Sequence, residues 1–187
     1  MNAFLVSTGL VALAEIGDKT QLLSFILAAK FRKPWPIIAG TLLATLFNHS
    51  LAGAVGSWLT TFIGVETLRW ILGLSFIAMA AWTLVPDTFD KKDASLARFG
   101  AFGTTLIAFF LAEMGDKTQI ATVALAAEYK NLFAVVAGTT FGMMLADVPA
   151  VLMGNKIADK MPTKLVHRIA AALFAALGVA TLFGVGG

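Results

Sequence analysis

The sequence predicts an all-α polytopic membrane protein of six transmembrane helices, built as two inverted three-helix repeats. Three observations carry that reading. The 187-residue chain is 58% hydrophobic and only 13% charged, whereas soluble domains average about 45–50% apolar and about 25% charged residues. Six apolar runs reach or approach the ~18–20 residues that a spanning helix needs. A polar heptapeptide in the first run recurs in the fourth, 98 residues later.

The runs cover about residues 3–29, 35–62, 68–85, 99–127, 132–153 and 169–185. The first has the polar residues Glu15 and Asp18 near its centre and no basic start, so it reads as a span and not as a signal peptide. The first, second and fourth runs exceed the minimum, which predicts tilt, a kink or a break. The connections are short. Only 86–98 and 154–168 have room for a surface turn or short helix. The whole chain, 1–187, therefore reads as a single transmembrane domain, with repeat one at about 1–90 and repeat two at about 99–187.

The repeat is explicit. Glu15-Ile16-Gly17-Asp18-Lys19-Thr20-Gln21 returns as Glu113-Met114-Gly115-Asp116-Lys117-Thr118-Gln119. The register holds without a gap: Ala39-Gly40-Thr41 meets Ala137-Gly138-Thr139, and Thr83-Leu84 meets Thr181-Leu182. Three spans per half is an odd number, so the second half must enter the membrane from the opposite side. The charges agree. Lys30, Arg32, Lys33, Lys91, Lys92, Arg98, Lys156, Lys160, Lys164 and Arg168 fall in odd-numbered loops, against Arg69 and Lys130 in even ones. The positive-inside rule then places the odd loops in the cytoplasm and both termini outside. This distribution also removes nucleic acid as a partner, because the net charge of +3 lies in short loops and the partner of the apolar runs is a lipid bilayer.

Five of the eleven acidic residues lie inside spans: Glu15, Asp18, Glu113, Asp116 and Asp147. Each costs about 2.5–3.5 kcal/mol to place at a helix centre on insertion scales, so such residues mark function. Asn48 lies at similar depth in the second run. At about 100° per residue, Glu15, Asp18 and Gln21 share one helix face, and Lys19 flanks Glu15 at i+4. Gly17 and Gly115 allow a close helix approach or local unwinding. The predicted metal ligands are Glu15, Asp18, Gln21, Asn48, Glu113, Asp116, Gln119 and Asp147. Lys19, Thr20, His49, Lys117 and Thr118 are expected to tune charge or to couple protons, His49 as a buried hydrogen-bonded or proton-carrying group. A plainer alternative makes each motif a buried Glu–Lys i,i+4 pair, but two copies at one depth weigh against it.

Carboxylate and amide oxygens suit Mn²⁺, Ca²⁺ or Mg²⁺. The chain has no cysteine and two histidines, which disfavours zinc and copper. Five intramembrane acids against Lys19 and Lys117 predict that the cluster holds protons when no metal is bound. The cation is expected as substrate, with no resident cofactor. An intramembrane aspartyl protease is the enzymatic alternative, and the Glu–Lys context, the strict duplication and the small size argue against any enzyme. A passive cation channel and an exporter of small organic cations or amino acids are the transport alternatives. Homo-oligomerisation is left open.

The doubled E-x-G-D-K/R-T/S motif resembles that of a small family of manganese and calcium transporters, which includes the bacterial MneA-type manganese exporters and Golgi calcium/manganese–proton exchangers. The likeness extends over the whole chain. It implies cation export or exchange, with Glu15, Asp18, Glu113 and Asp116 as the binding acids, and a bacterial inner-membrane location.

Overall fold

The structure, a computed structural model, describes residues 2–85, 99–153 and 163–184. The described residues form helices and turns, in eight helices: α1 (Ala3–Glu15), α2 (Lys19–Phe31), α3 (Pro34–Leu59), α4 (Val65–Thr83), α5 (Gly100–Glu113), α6 (Lys117–Tyr129), α7 (Leu132–Met153) and α8 (Thr163–Leu182). Helices α3, α4, α7 and α8 are each long and apolar enough to cross a membrane. The first and fourth apolar runs are not continuous helices. Each is broken at its repeated motif into two pieces of 13 or 14 residues. The connection at 86–98, most of that at 154–168 and the C-terminal Gly187 lie outside the described residues.

Local chemistry sets the ends. Asn2 caps α1 by accepting from the Phe4 N–H at 3.1 Å, which supplies one of the orphan donors of a helix start. Pro34 opens α3, where its missing N–H costs nothing. Helices α2 and α6 close alike. Arg32 (φ 53°) and Lys130 (φ 50°) adopt the left-handed conformation, and their N–H groups donate to the carbonyls of Ala28 and Ala126. These two residues are themselves 98 apart.

The distribution of polarity is that of a protein solvated by lipid. Leu43, Phe47, Leu51, Leu74, Phe133 and Leu145 are exposed, while Glu15, Asp18, Asn48, Glu113, Asp116 and Asp147 are buried. A soluble fold arranges these classes the other way round. The polar interior matches the rule that ionisable groups within a bilayer turn inward. The chain is a multi-pass membrane protein.

Helix α1 packs on α7, α5 packs on α3, and α4 packs on α8. Two crossings are close. A Cβ on Gly40 of α3 would meet the Phe102 carbonyl oxygen at 2.9 Å and Thr105 Cβ at 2.9 Å. A Cβ on Gly138 of α7 would meet the Phe4 carbonyl oxygen at 2.6 Å and Ser7 Cβ at 3.0 Å. Small residues at such positions let helix backbones approach. Gly138→Ala is therefore expected to destabilise the protein by about 1–3 kcal/mol through overpacking, read as a lower unfolding temperature in detergent. Gly9→Ala is the control, since among the described residues no atom of another element lies within 4 Å of that Cβ position, and with alanine's better helix propensity it should not lower the unfolding temperature.

Candidate metal-cation site at the two helix breaks

The motif builds a break because one residue in it takes a backbone conformation that side chains resist. Helix α1 ends at Glu15, Ile16 is extended (ψ 113°), and Gly17 turns to φ 85°. Asp18 then caps α2, accepting from the Lys19 N–H at 2.6 Å. The second copy repeats the course: Met114 at ψ 118°, Gly115 at φ 74°, and Asp116 capping α6. The Asp18 N–H donates to the Glu15 carbonyl at 3.0 Å and the Asp116 N–H to the Glu113 carbonyl at 3.1 Å. Gln21 Oε1 accepts from the Gly17 N–H, and Gln119 Oε1 from the Gly115 N–H, each at 2.8 Å. The freed backbone groups of a broken membrane helix are thus re-satisfied by the motif itself. The positive ends of α2 and α6 lie at the capping aspartates, where they favour negative charge.

The glutamates are oriented by the motif threonines. Thr20 Oγ1 donates to Glu15 Oε2 at 2.5 Å, and Thr118 Oγ1 lies 3.1 Å from Glu113 Oε2 and 3.3 Å from Asp116 Oδ2. Glu15 Oε1 and Glu113 Oε1 are buried with no hydrogen-bond partner among the described residues. The two motifs meet. Glu15, Glu113 and Asp116, all buried, each present a carboxylate oxygen, and the three oxygens lie within 4.8 Å of one another. Oxygen–metal distances of ~2.1–2.6 Å allow one cation to touch all three.

The lysines pair between motifs. Lys19 Nζ is 2.8 Å from Asp116 Oδ1, and Lys117 Nζ is 3.3 Å from Asp18 Oδ2. This replaces the i,i+4 Glu–Lys pairing that a continuous helix would give. The expectation of one shared helix face for Glu15, Asp18 and Gln21 fails for the same reason. The 100° step assumes helical dihedrals, and Gly17 departs from them.

The other expected ligands bond to groups outside the three-acid group. Asp147 Oδ1 accepts from Ser24 Oγ at 2.8 Å, and its Oδ2 has no hydrogen-bond partner among the described residues. Asn48 Nδ2 donates to the Phe110 carbonyl at 3.1 Å, and its buried Oδ1 has no hydrogen-bond partner among the described residues. Gln21 Nε2 donates to the Ala146 carbonyl at 3.0 Å, tying α2 to α7. The three-acid group does not include Asp18 or Asp147. His49 is fully buried, and neither ring nitrogen has a hydrogen-bond partner among the described residues. Two contacts were missed from the sequence. Ser24 was legible in principle, because Thr122, another hydroxyl, stands 98 residues on. His167 of α8 places Nε2 2.6 Å from the Ile16 carbonyl at the first break. Its repeat equivalent is Arg69, so no matched residue type signals it.

Broken helices meeting at a buried acid cluster inside an all-helical, lipid-solvated fold define a membrane protein built to handle cations. The match to known proteins agrees. The family of divalent cation/proton antiporters called GDT1 matches residues 3–91 and 101–186, and the chain belongs to that family. A "Putative manganese exporter" of Vibrio cholerae is 50% identical over 184 residues, covering 98% of this chain and 92% of that protein. A GDT1-like protein of Synechocystis is 29% identical over 195 residues, covering 93% of each. "GDT1-like protein 3" of Oryza sativa is 28% identical over 208 residues, covering 97% of this chain and 74% of that protein. No solved structure matches the chain.

Proposed function

We propose that the chain exports Mn²⁺, with Ca²⁺ as a second accepted cation, from the cytoplasm across a bacterial inner membrane in exchange for protons. It acts as a transporter and not as an enzyme. The observation that carries this reading is the buried group of Glu15, Glu113 and Asp116. Its oxygens come from both motifs, and two of its carboxylates each keep an oxygen with no hydrogen-bond partner among the described residues. A hard or borderline divalent cation matches such an oxygen set. Asp18, Gln21, Asn48, Gln119 and Asp147 complete or shape the shell as the site changes conformation. Like charges packed in low dielectric take up protons once the cation leaves, and a newly arriving cation displaces them.

The architecture proposed with it is one transmembrane domain of six spans in two inverted repeats. Here α1 with α2 counts as one span, and α5 with α6 as another. Several observations support that arrangement. Gly40 approaches Phe102 and Thr105 as Gly138 approaches Phe4 and Ser7, residue for residue at the 98-residue offset. Helix α1 packs on α7 as α5 packs on α3. The family match falls in two blocks of similar length. Broken helices whose ends face a site at the repeat interface are a recurrent transporter design.

The test is a cellular one. Cells whose manganese tolerance depends on this protein should lose Mn²⁺ after loading, and cells lacking it should retain the ion and become sensitive to it. Equal retention in both would refute the reading, and efflux of an amino acid or organic cation in place of Mn²⁺ would favour the exporter alternative. Orientation is checked separately. The chain has no cysteine, so Gly187→Cys creates a single-cysteine protein. An impermeant thiol reagent added outside should label it, and protection from that reagent would contradict an outer C-terminus.

A further inference from the structure

Each motif lysine pairs with the aspartate of the opposite motif. Lys19 Nζ lies 2.8 Å from Asp116 Oδ1, and Asp116 supplies one of the three clustered oxygens. Lys117 Nζ lies 3.3 Å from Asp18 Oδ2 in the other motif. An ammonium group is a compact point charge on a flexible stem. It therefore imitates a small cation while remaining tethered. The two pairs differ in burial: the Lys19 side chain is 26% exposed and that of Lys117 only 2%. Lys19 has room to swing away, whereas Lys117 is enclosed.

We propose that Lys19 and Lys117 are tethered competitors of the transported ion, each occupying the aspartate of the opposite motif until a divalent cation displaces it, and expelling the cation on return. In the conformation described, Lys19 is the displaceable one. The inference rests on the cation-transport reading above and adds the step that releases the ion. A dication and an ammonium sharing one carboxylate repel each other, so full coordination by Asp116 requires Lys19 to leave. A lysine that served only as a structural staple would have a different signature: its removal would loosen the site and weaken cation binding.

The full-length purified protein in detergent is tested with radioactive Mn²⁺ by equilibrium dialysis. Lys19→Gln should bind Mn²⁺ about tenfold tighter, the effect of removing one competing charge from an acid site. Its turnover in proteoliposomes should fall, because release slows. Lys19→Arg keeps the charge and should retain wild-type affinity. Unchanged or weaker binding by a folded Lys19→Gln protein overturns the proposal. A second measurement needs no variant. Mn²⁺ should speed acylation of Lys19 in the wild-type protein by an amine reagent, read by mass spectrometry, because displacement frees the ammonium from Asp116. Slower or unchanged acylation at saturating Mn²⁺ overturns the proposal even if the variant does not fold. Wild-type protein that binds no Mn²⁺ would overturn the transport reading itself, and the competition with it.

Discussion

Glu15→Gln is expected to abolish Mn²⁺ export while leaving the protein folded and normally abundant. The substitution keeps the side chain's size and an oxygen able to accept from Thr20 Oγ1, so the bond that orients the residue survives. It removes one of the three charges that converge within 4.8 Å. Outer-shell partners of metal ligands are worth 10–100-fold in affinity or activity, and loss of a direct carboxylate ligand should exceed that, at roughly 100-fold or more. Glu113→Gln should behave alike, because Thr118 holds its Oε2 in the same way. Asp116→Asn is less clean, since it also takes the partner from Lys19. Manganese tolerance, measured beside protein abundance, decides the matter. Wild-type tolerance in both glutamate variants would mean that the acids serve structure.

Gly17→Ala is expected to have the next largest effect. Gly17 sits at φ 85°, where a side chain is strained by about 1–3 kcal/mol. Relief of that strain would drive residues 16–18 toward helix. A continuous helix would return the Gly17 N–H to a backbone carbonyl, release Gln21 Oε1, and rotate Asp18 away from its capping position and from Lys117. The variant should therefore lose transport by more than its loss of stability explains. Gly115→Ala tests the same point in the second motif, at φ 74°. If either variant transports at the wild-type rate, the break is not needed for function.

Much of this architecture is legible in the sequence because its signals are local. Apolar length finds α3, α4, α7 and α8, and the ungapped repeat finds both copies of the motif that breaks a helix. The over-long first and fourth runs, each with a glycine among polar residues, point to a break as one of three options. What the sequence hides is the wiring across the break. A helical wheel pairs Lys19 with Glu15, but the chain turns at Gly17 and Lys19 reaches Asp116 instead, a residue of the other half. No periodicity within one segment can disclose that. Gln21 looks like a ligand by type, yet the amide oxygen is engaged by a backbone N–H that only an interrupted helix exposes. His49 reads as a buried hydrogen-bonded or proton-carrying group, and among the described residues its ring nitrogens have no hydrogen-bond partner. The assignment of Asn48 and Asp147 to the site rests on depth alone, and the bonds these residues make are to the Phe110 carbonyl and the Ser24 hydroxyl.

The central claim is that one acid cluster, made by both motifs, exchanges a divalent cation for protons. Purified protein in sealed proteoliposomes, with an imposed pH gradient and equal Mn²⁺ on both sides, tests it most directly. The account predicts that Mn²⁺ moves uphill, opposite to the protons, that an ionophore collapsing the gradient stops this, and that Glu15→Gln shows no movement under either condition. No net Mn²⁺ movement from equal concentrations, or uphill flux that survives the ionophore, would contradict proton exchange at this site.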